Sequence, residues 1–189
     1  ITGERYWSKD FAEREWEHMW KKVWHVGGRA SQLEEPGDFI THEFMHESVM
    51  MVKQEDGSIK AFFNVCMHRG NRLVNVEEGG VMDAFTCPYH GWSYATDGKL
   101  VGVPFFKDAY HEKLDKSKWG LVEVAQMEVY KGSIWATWDL SAPPFTEYLG
   151  DFKMFFDLSL EAWNGTDEPL EVIGGVQKWL IPCNWKFPA

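Results

Sequence analysis

Two short segments constrain this chain more than anything else in it: Cys66-Met67-His68-Arg69-Gly70-Asn71 and Cys87-Pro88-Tyr89-His90-Gly91-Trp92. Each offers one thiol and one imidazole. Each follows a strand-like run, residues 61–65 and 82–86, and each carries a glycine, Gly70 or Gly91, where backbone can pass close to a bound object. Eighteen residues lie between His68 and Cys87. A fold that serves both segments must turn its strands back so that two loops, distant in sequence, close on one another.

Two Cys and two His suit a tetrahedral zinc. They equally suit a [2Fe–2S] cluster with two Cys on one iron and two His on the other. Zinc sites of this composition draw both Cys from one element and both His from a helix. Here each segment supplies one of each, so the two loops can grip a cluster from opposite sides, Cys66 and Cys87 on one iron and His68 and His90 on the other. The turn N–H groups are then free to hydrogen-bond sulfur. Structural zinc, or Cys and His with no cofactor at all, are the rival readings of the same residues.

The rest of the chain predicts a mainly β protein with flanking helices. Ser8 is an N-cap candidate for a helix over 8–24, with Phe11, Ala12, Trp16, Met19, Trp20 and Val23 on one face. Residues 23–30 then extend, with Gly27-Gly28 as a break, and Pro36-Gly37-Asp38 marks a domain edge. Strands are expected near 38–45, 48–54, 58–65, 82–86, 92–95, 99–102, 120–130 and 132–138, with hairpin turns at Asp56-Gly57 and Asp97-Gly98. Such spacing suggests stacked antiparallel sheets or a small barrel with the two loops at hairpin tips. A longer loop covers 103–119, Pro143-Pro144 closes the β region, 145–158 reads as helix, and Leu170 to Leu180 alternates like a strand. The expected organisation is 1–35 and 146–189 as pieces of one domain, with a β module at 36–145 inserted between them.

Other residue patterns weigh less. A net charge of −10 argues against a nucleic-acid partner. No apolar run is long enough for a membrane-spanning helix. The polar start Ile1-Thr2-Gly3-Glu4-Arg5 has no signal-peptide pattern, and two free thiolates suit a reducing cytoplasm. His42 and His46 with Glu43 and Glu47 mimic a two-His-one-carboxylate site, but on an extended strand the His would face away from the acids. Arg69 and Arg72 are read as surface charge or as braces to acidic neighbours, with docking of a donor protein or of the next subunit as the alternative for Arg69. Cys183 is expected to be a buried thiol on an apolar strand.

The pattern C-x-H … C-x-x-H-G-W resembles the Rieske motif in the large (α) subunit of aromatic-ring-hydroxylating oxygenases. The resemblance continues at Gln177-Lys178-Trp179 and Cys183-Asn184-Trp185-Lys186, which are similar to the opening of that family's catalytic domain. It implies a Rieske-type β-sandwich or small barrel set into an α/β catalytic domain. The spacing between the half-motifs is slightly longer than the family's, which implies an extra turn residue near residues 77–80. Respiratory Rieske proteins carry a further Cys in each loop; Met67 and Tyr89 stand there, so no disulfide is expected. They also carry a hydroxyl residue where Trp92 stands, which implies a potential at the low end of the range, with the Tyr94 phenol able to offset it.

The same resemblance implies electrons that begin on NAD(P)H and arrive through a reductase or ferredoxin. They would pass to a mononuclear Fe(II) that inserts O₂ into a small aromatic substrate, in a homotrimer that small β subunits can join. That iron's facial triad would follow the Asn-Trp-Lys segment, beyond Ala189. The expectation is thus the N-terminal part of an α subunit, with cluster ligands but no catalytic residues of its own. A Rieske ferredoxin without catalysis is the alternative, and the flanking helices argue against it.

Overall fold

The computed structural model describes residues 2–160, 170, 172–173, 177 and 179–187. It divides into two compact units, Trp24–Leu140 and the pair Ile1–Val23 with Ser141–Ala189.

The first unit is a stack of three antiparallel sheets, and one strand explains the stacking. The run Val49-Met50-Met51-Val52 is apolar at every position, which suits a strand buried on both faces. It forms β3 (Glu47–Lys53), flanked by β2 (Asp38–Phe44) and β4 (Ile59–Phe63), with β5 (Glu78–Gly80) beyond β2. Val49 and Met51 face one core with Ile40, Ala61, Val124 and Ile134. Met50 and Val52 face the other with Phe39, Phe62, Phe85, Tyr94 and both candidate cysteines. The register keeps like with like: Phe39 opposes Val52 and Met50 opposes Phe62, while Ile40 and Ala61 both oppose Met51. Burying each such side chain contributes about 1.5–3 kcal/mol, so a one-residue slip here is strongly disfavoured.

The second sheet joins β1 (His25–Arg29), β10 (Ser133–Thr137) and β9 (Gln126–Tyr130). The third joins β6 (Ala84–Thr86), β7 (Ser93–Ala95) and β8 (Leu100–Gly102). The Asp56-Gly57 and Asp97-Gly98 turns close their hairpins as expected, with φ of 81° and 87° at the glycines. Lys131-Gly132 adds a two-residue turn with both φ positive, the geometry that matches strand twist.

Several expectations are corrected. Gly27-Gly28 does not break the chain; it lies inside β1, where side chains would collide with Met51 and Ile40 of the central sheet. Because β1 pairs with β10, the compact unit begins at Trp24 rather than residue 36, and it ends at Leu140. Residues 78–80 are not a turn but the edge strand β5, with Gly79 opposite Phe39. The strand expected over 120–130 shortens to β9, because residues 121–124 first bond the edge of β4 (Phe63 N to Val122 O, 2.9 Å; Val124 N to Ala61 O, 3.0 Å) and then cross over.

In the other unit, Ser8 ends α1 (Glu4–Trp7) and caps α2 (Lys9–His18), accepting from Phe11 N at 3.3 Å; a 3₁₀ turn (Trp20–Lys22) follows. The helix expected over 145–158 is two, α3 (Phe145–Leu149) and α4 (Phe152–Leu160), parted at Gly150, whose φ is 51°. Lys186 Nζ pairs with Glu15 at 2.7 Å, and Trp185 sits edge-on to Trp20 at 4.8 Å, fixing residues 184–187 to α2. Cys183 is exposed rather than buried, because its neighbours Leu180 and Ile181 pair with no strand. Of the strand expected over 170–180, residues 171, 174–176 and 178 lie outside the described residues, and those described there carry no strand. Among the described residues no helix is long and apolar enough to cross a membrane.

Candidate metal centre

The two half-motifs fold into the same turn. In the first, Gly70 N donates to Cys66 O at 2.8 Å and Cys66 N donates to Asn71 O at 2.7 Å. In the second, Gly91 N donates to Cys87 O at 2.9 Å and Cys87 N donates to Trp92 O at 2.8 Å. Gly70 and Gly91 take φ of 69° and 72°, the left-handed conformation that closes each turn. At Gly70 a side chain would meet nothing, so backbone conformation rather than close approach accounts for the glycine there.

The loops are held differently. The second is a hairpin tip, since β6 and β7 pair directly across it (Thr86 with Ser93). The first is not, contrary to expectation: β4 and β5 lie on opposite edges of the central sheet. Buried Asn64 replaces the missing partner strand. Its Oδ1 accepts from Leu73 N and Val74 N, both at 3.1 Å, and its Nδ2 donates to Val74 O at 2.8 Å and Ser48 Oγ at 3.1 Å. Sequence reasoning missed this residue. Its signal was an amide at the end of an apolar strand, two residues before the first cysteine.

Cys66 and Cys87 are buried in the core shared by the central and third sheets. Burial pushes the Cys66 thiol up, with the hydrogen bond from Tyr94 pulling the other way. Tyr94 is fully buried; its hydroxyl accepts from Met67 N at 3.1 Å and lies 3.3 Å from Cys66 Sγ, leaving its proton for the sulfur. Burial, and then the same sulfur, hold the Tyr94 phenol protonated by raising its pKa. Asn71 Nδ2 lies 3.8 Å from Cys87 Sγ. The two imidazoles meet edge-on, 4.7 Å between ring centroids. Trp92 stacks on His68 at 4.8 Å and Tyr89 lies against His90 at 3.8 Å.

His68 Nδ1 is buried with no hydrogen-bond partner. A buried lone pair without a donor is costly unless something else takes it, so this atom fits a metal ligand. Burial, then His90 and Arg69, pull the His68 imidazole below its ordinary value, which favours the neutral ring that a metal requires. Among the described residues no three His, Cys, Asp or Glu side chains converge on one ion position.

Of the remaining candidates, Arg72 braces Glu43 at 2.8 Å, and Arg69 is exposed beside the first loop. His42 lies on β2, but the strand ends at Phe44 and His46 sits in the turn. The two histidines therefore share no strand face, and the premise of that reading is corrected.

Residues 23–126 match the family described as Rieske [2Fe-2S] domain. The chain is 42% identical over 190 residues to the biphenyl dioxygenase subunit alpha of Metapseudomonas furukawaii, covering 97% of this chain and 40% of that one. It is 41% identical to the benzene 1,2-dioxygenase subunit alpha of Pseudomonas putida, covering 100% of this chain and 41% of that one. Among solved structures, naphthalene 1,2-dioxygenase from Rhodococcus sp. bound to indole superposes with a TM-score of 0.87 at 36% identity, over 95% of this chain and 40% of that one. The chain thus spans about two fifths of the length of these relatives. The matched segment contains both turns, the whole of the central and third sheets and β1 of the second, and on that match the chain belongs to the Rieske [2Fe-2S] domain family.

Proposed function

We propose that this chain is the electron-accepting part of the large subunit of an aromatic-ring-hydroxylating dioxygenase, with Cys66 and Cys87 holding one iron of a [2Fe–2S] cluster and His68 and His90 the other. The observation that carries this reading is the pair of matched turns, which place two buried thiols in one core and two imidazoles 4.7 Å apart, with Nδ1 of His68 left without a hydrogen-bond partner. When bound, a cluster with this donor set supplies one-electron transfer at roughly −150 to +300 mV.

The chain's own residues divide the remaining tasks. Cys66 and Cys87 anchor the site in a dry core, where water does not compete for their sulfurs. With Cys66 as a thiolate, the Tyr94 hydroxyl 3.3 Å away is the donor to its sulfur. His68 and His90 are only half-buried, so theirs is the side that a donor protein could reach. Exposed Arg69 and Tyr89 flank that side and face the incoming donor.

For the whole protein, the proposal is electrons from NAD(P)H through a ferredoxin or reductase. A mononuclear Fe(II) in the rest of the polypeptide would insert O₂ into an aromatic hydrocarbon to give a cis-dihydrodiol. It includes a homotrimer, with or without small β subunits, in the cytoplasm. Support comes from the names of the relatives and from the span of the match, which includes both flanking helical segments that a free Rieske ferredoxin would not need.

The test is an EPR spectrum of the dithionite-reduced protein, with iron and acid-labile sulfide assayed on the same sample. A rhombic signal with average g below the free-electron value, absent in His68→Ala and Cys87→Ala, is expected. A colourless, EPR-silent protein holding zinc would sink the reading.

A further inference from the structure

We propose that Asn71 tunes the centre: its side-chain amide, reaching from the first loop to the Cys87 sulfur of the second, raises the reduction potential of the cluster. This deepens the reading above and rests on it.

The geometry fixes which end of the amide faces the sulfur. Asn71 Nδ2 lies 2.7 Å from Arg72 O, a distance that only the donor end can occupy. The second Nδ2 hydrogen is then available to Cys87 Sγ at 3.8 Å. The main chain from which this side chain springs is fixed, because the Asn71 backbone carbonyl accepts from Cys66 N at 2.7 Å at the root of the turn. Cys87 is buried, so an amide dipole aimed at its sulfur is poorly screened.

The direction of the effect follows from charge. The one-electron-reduced cluster carries one more negative charge than the oxidised form, and part of it resides on sulfur. A donor to that sulfur stabilises the reduced form more, so the potential rises; hydrogen bonds to sulfur are among the protein's means of setting it. The arrangement is crossed. Cys66 on the first loop receives the Tyr94 hydroxyl from the strand that follows the second, at 3.3 Å, and Cys87 on the second receives Asn71 from the first. At the position equivalent to Asn71, the second turn has Trp92, which stacks on His68. The low potential expected from Trp92 is therefore offset at both sulfurs.

The experiment is a redox titration followed by EPR on the wild-type protein and on Asn71→Leu, which removes the donor without adding charge, with Asn71→Ala as the second variant. Iron and sulfide are assayed on each sample. The expected result is full loading and an about threefold fall in the reduced-to-oxidised ratio at fixed ambient potential, equivalent to about 28 mV at 59 mV per tenfold for one electron. An unchanged potential in a fully loaded variant would overturn the assignment. So would failure of both variants to load, which would make Asn71 a structural support only. A wild-type protein without the rhombic signal would take the reading above down with it; a normal wild-type signal with an unmoved variant sinks this inference alone.

Discussion

The loops at 66–71 and 87–92 make one turn by two routes. Backbone hydrogen bonds, positive-φ glycine and buried cysteine are the same in both. What differs is the support. The second loop is carried by paired strands, whose register fixes its two ends. The first loop has no pair of strands joined across its ends, and one buried side chain, Asn64, closes it through four hydrogen bonds. The difference teaches that a ligand turn needs its ends fixed at a set separation, and that either a ladder or a fully satisfied buried amide can do it.

If that comparison holds, breaking the side-chain closure does the most damage. Asn64→Ala leaves the Leu73 and Val74 N–H groups unpaired in the interior and should cost about 3 kcal/mol. The measurement is the urea midpoint, with iron content on the same sample; a change under a third of that size would mean the first loop is held by something else. The two glycines come next. Gly91→Ala adds a side chain 3.0 Å from Pro104 Cγ at a φ of 72° and should cost about 2 kcal/mol. Gly70→Ala meets only the backbone strain and should cost about 1 kcal/mol, so equal losses would refute the asymmetry.

Tyr94→Phe tests the crossed sulfur contacts. It leaves Met67 N unpaired, which costs about 1 kcal/mol, and it removes the donor to Cys66 Sγ, so the midpoint potential should fall. An unmoved potential would rule out the hydroxyl as donor.

The smallest effect belongs to the hairpin that extends from the second loop. The Lys99 side chain, 2.6 Å away, and then the Lys99 N–H hold the Asp97 carboxyl below its usual value. A depressed pKa stabilises the fold above the unfolded value of about 3.9, and the contribution is lost as pH falls through the folded value. Because the pair is partly exposed, the loss should stay under about 1 kcal/mol, and Asp97→Asn should flatten stability against pH below about pH 4. A slope unchanged in that variant would remove Asp97 from the account.

Much of the molecule was legible beforehand because its signals are local. The Asp-Gly turns, the apolar run of β3 and the Ser8 cap each depend on a few adjacent residues, and each stands where the chain alone placed it. The half-motifs named the four candidate ligands by residue type and spacing. What the chain alone did not show depends on partners distant in sequence. Gly27-Gly28 reads as a break until Met51 and Ile40 are known to press on it. Residues 78–80 read as a turn until β2 offers an edge. Cys183 reads as buried until the described residues around it are seen to carry no strand.

The sequence by itself therefore determined which candidate donor atoms stand in the two loops and which backbone turns present them, because thiol, imidazole and positive-φ glycine are properties of single residues. Only the tertiary structure decided what holds those turns and what faces each sulfur. Asn64, Asn71 and Tyr94 acquire their roles from neighbours that strand order brings to them, and strand order is set by the cores on the two faces of β3.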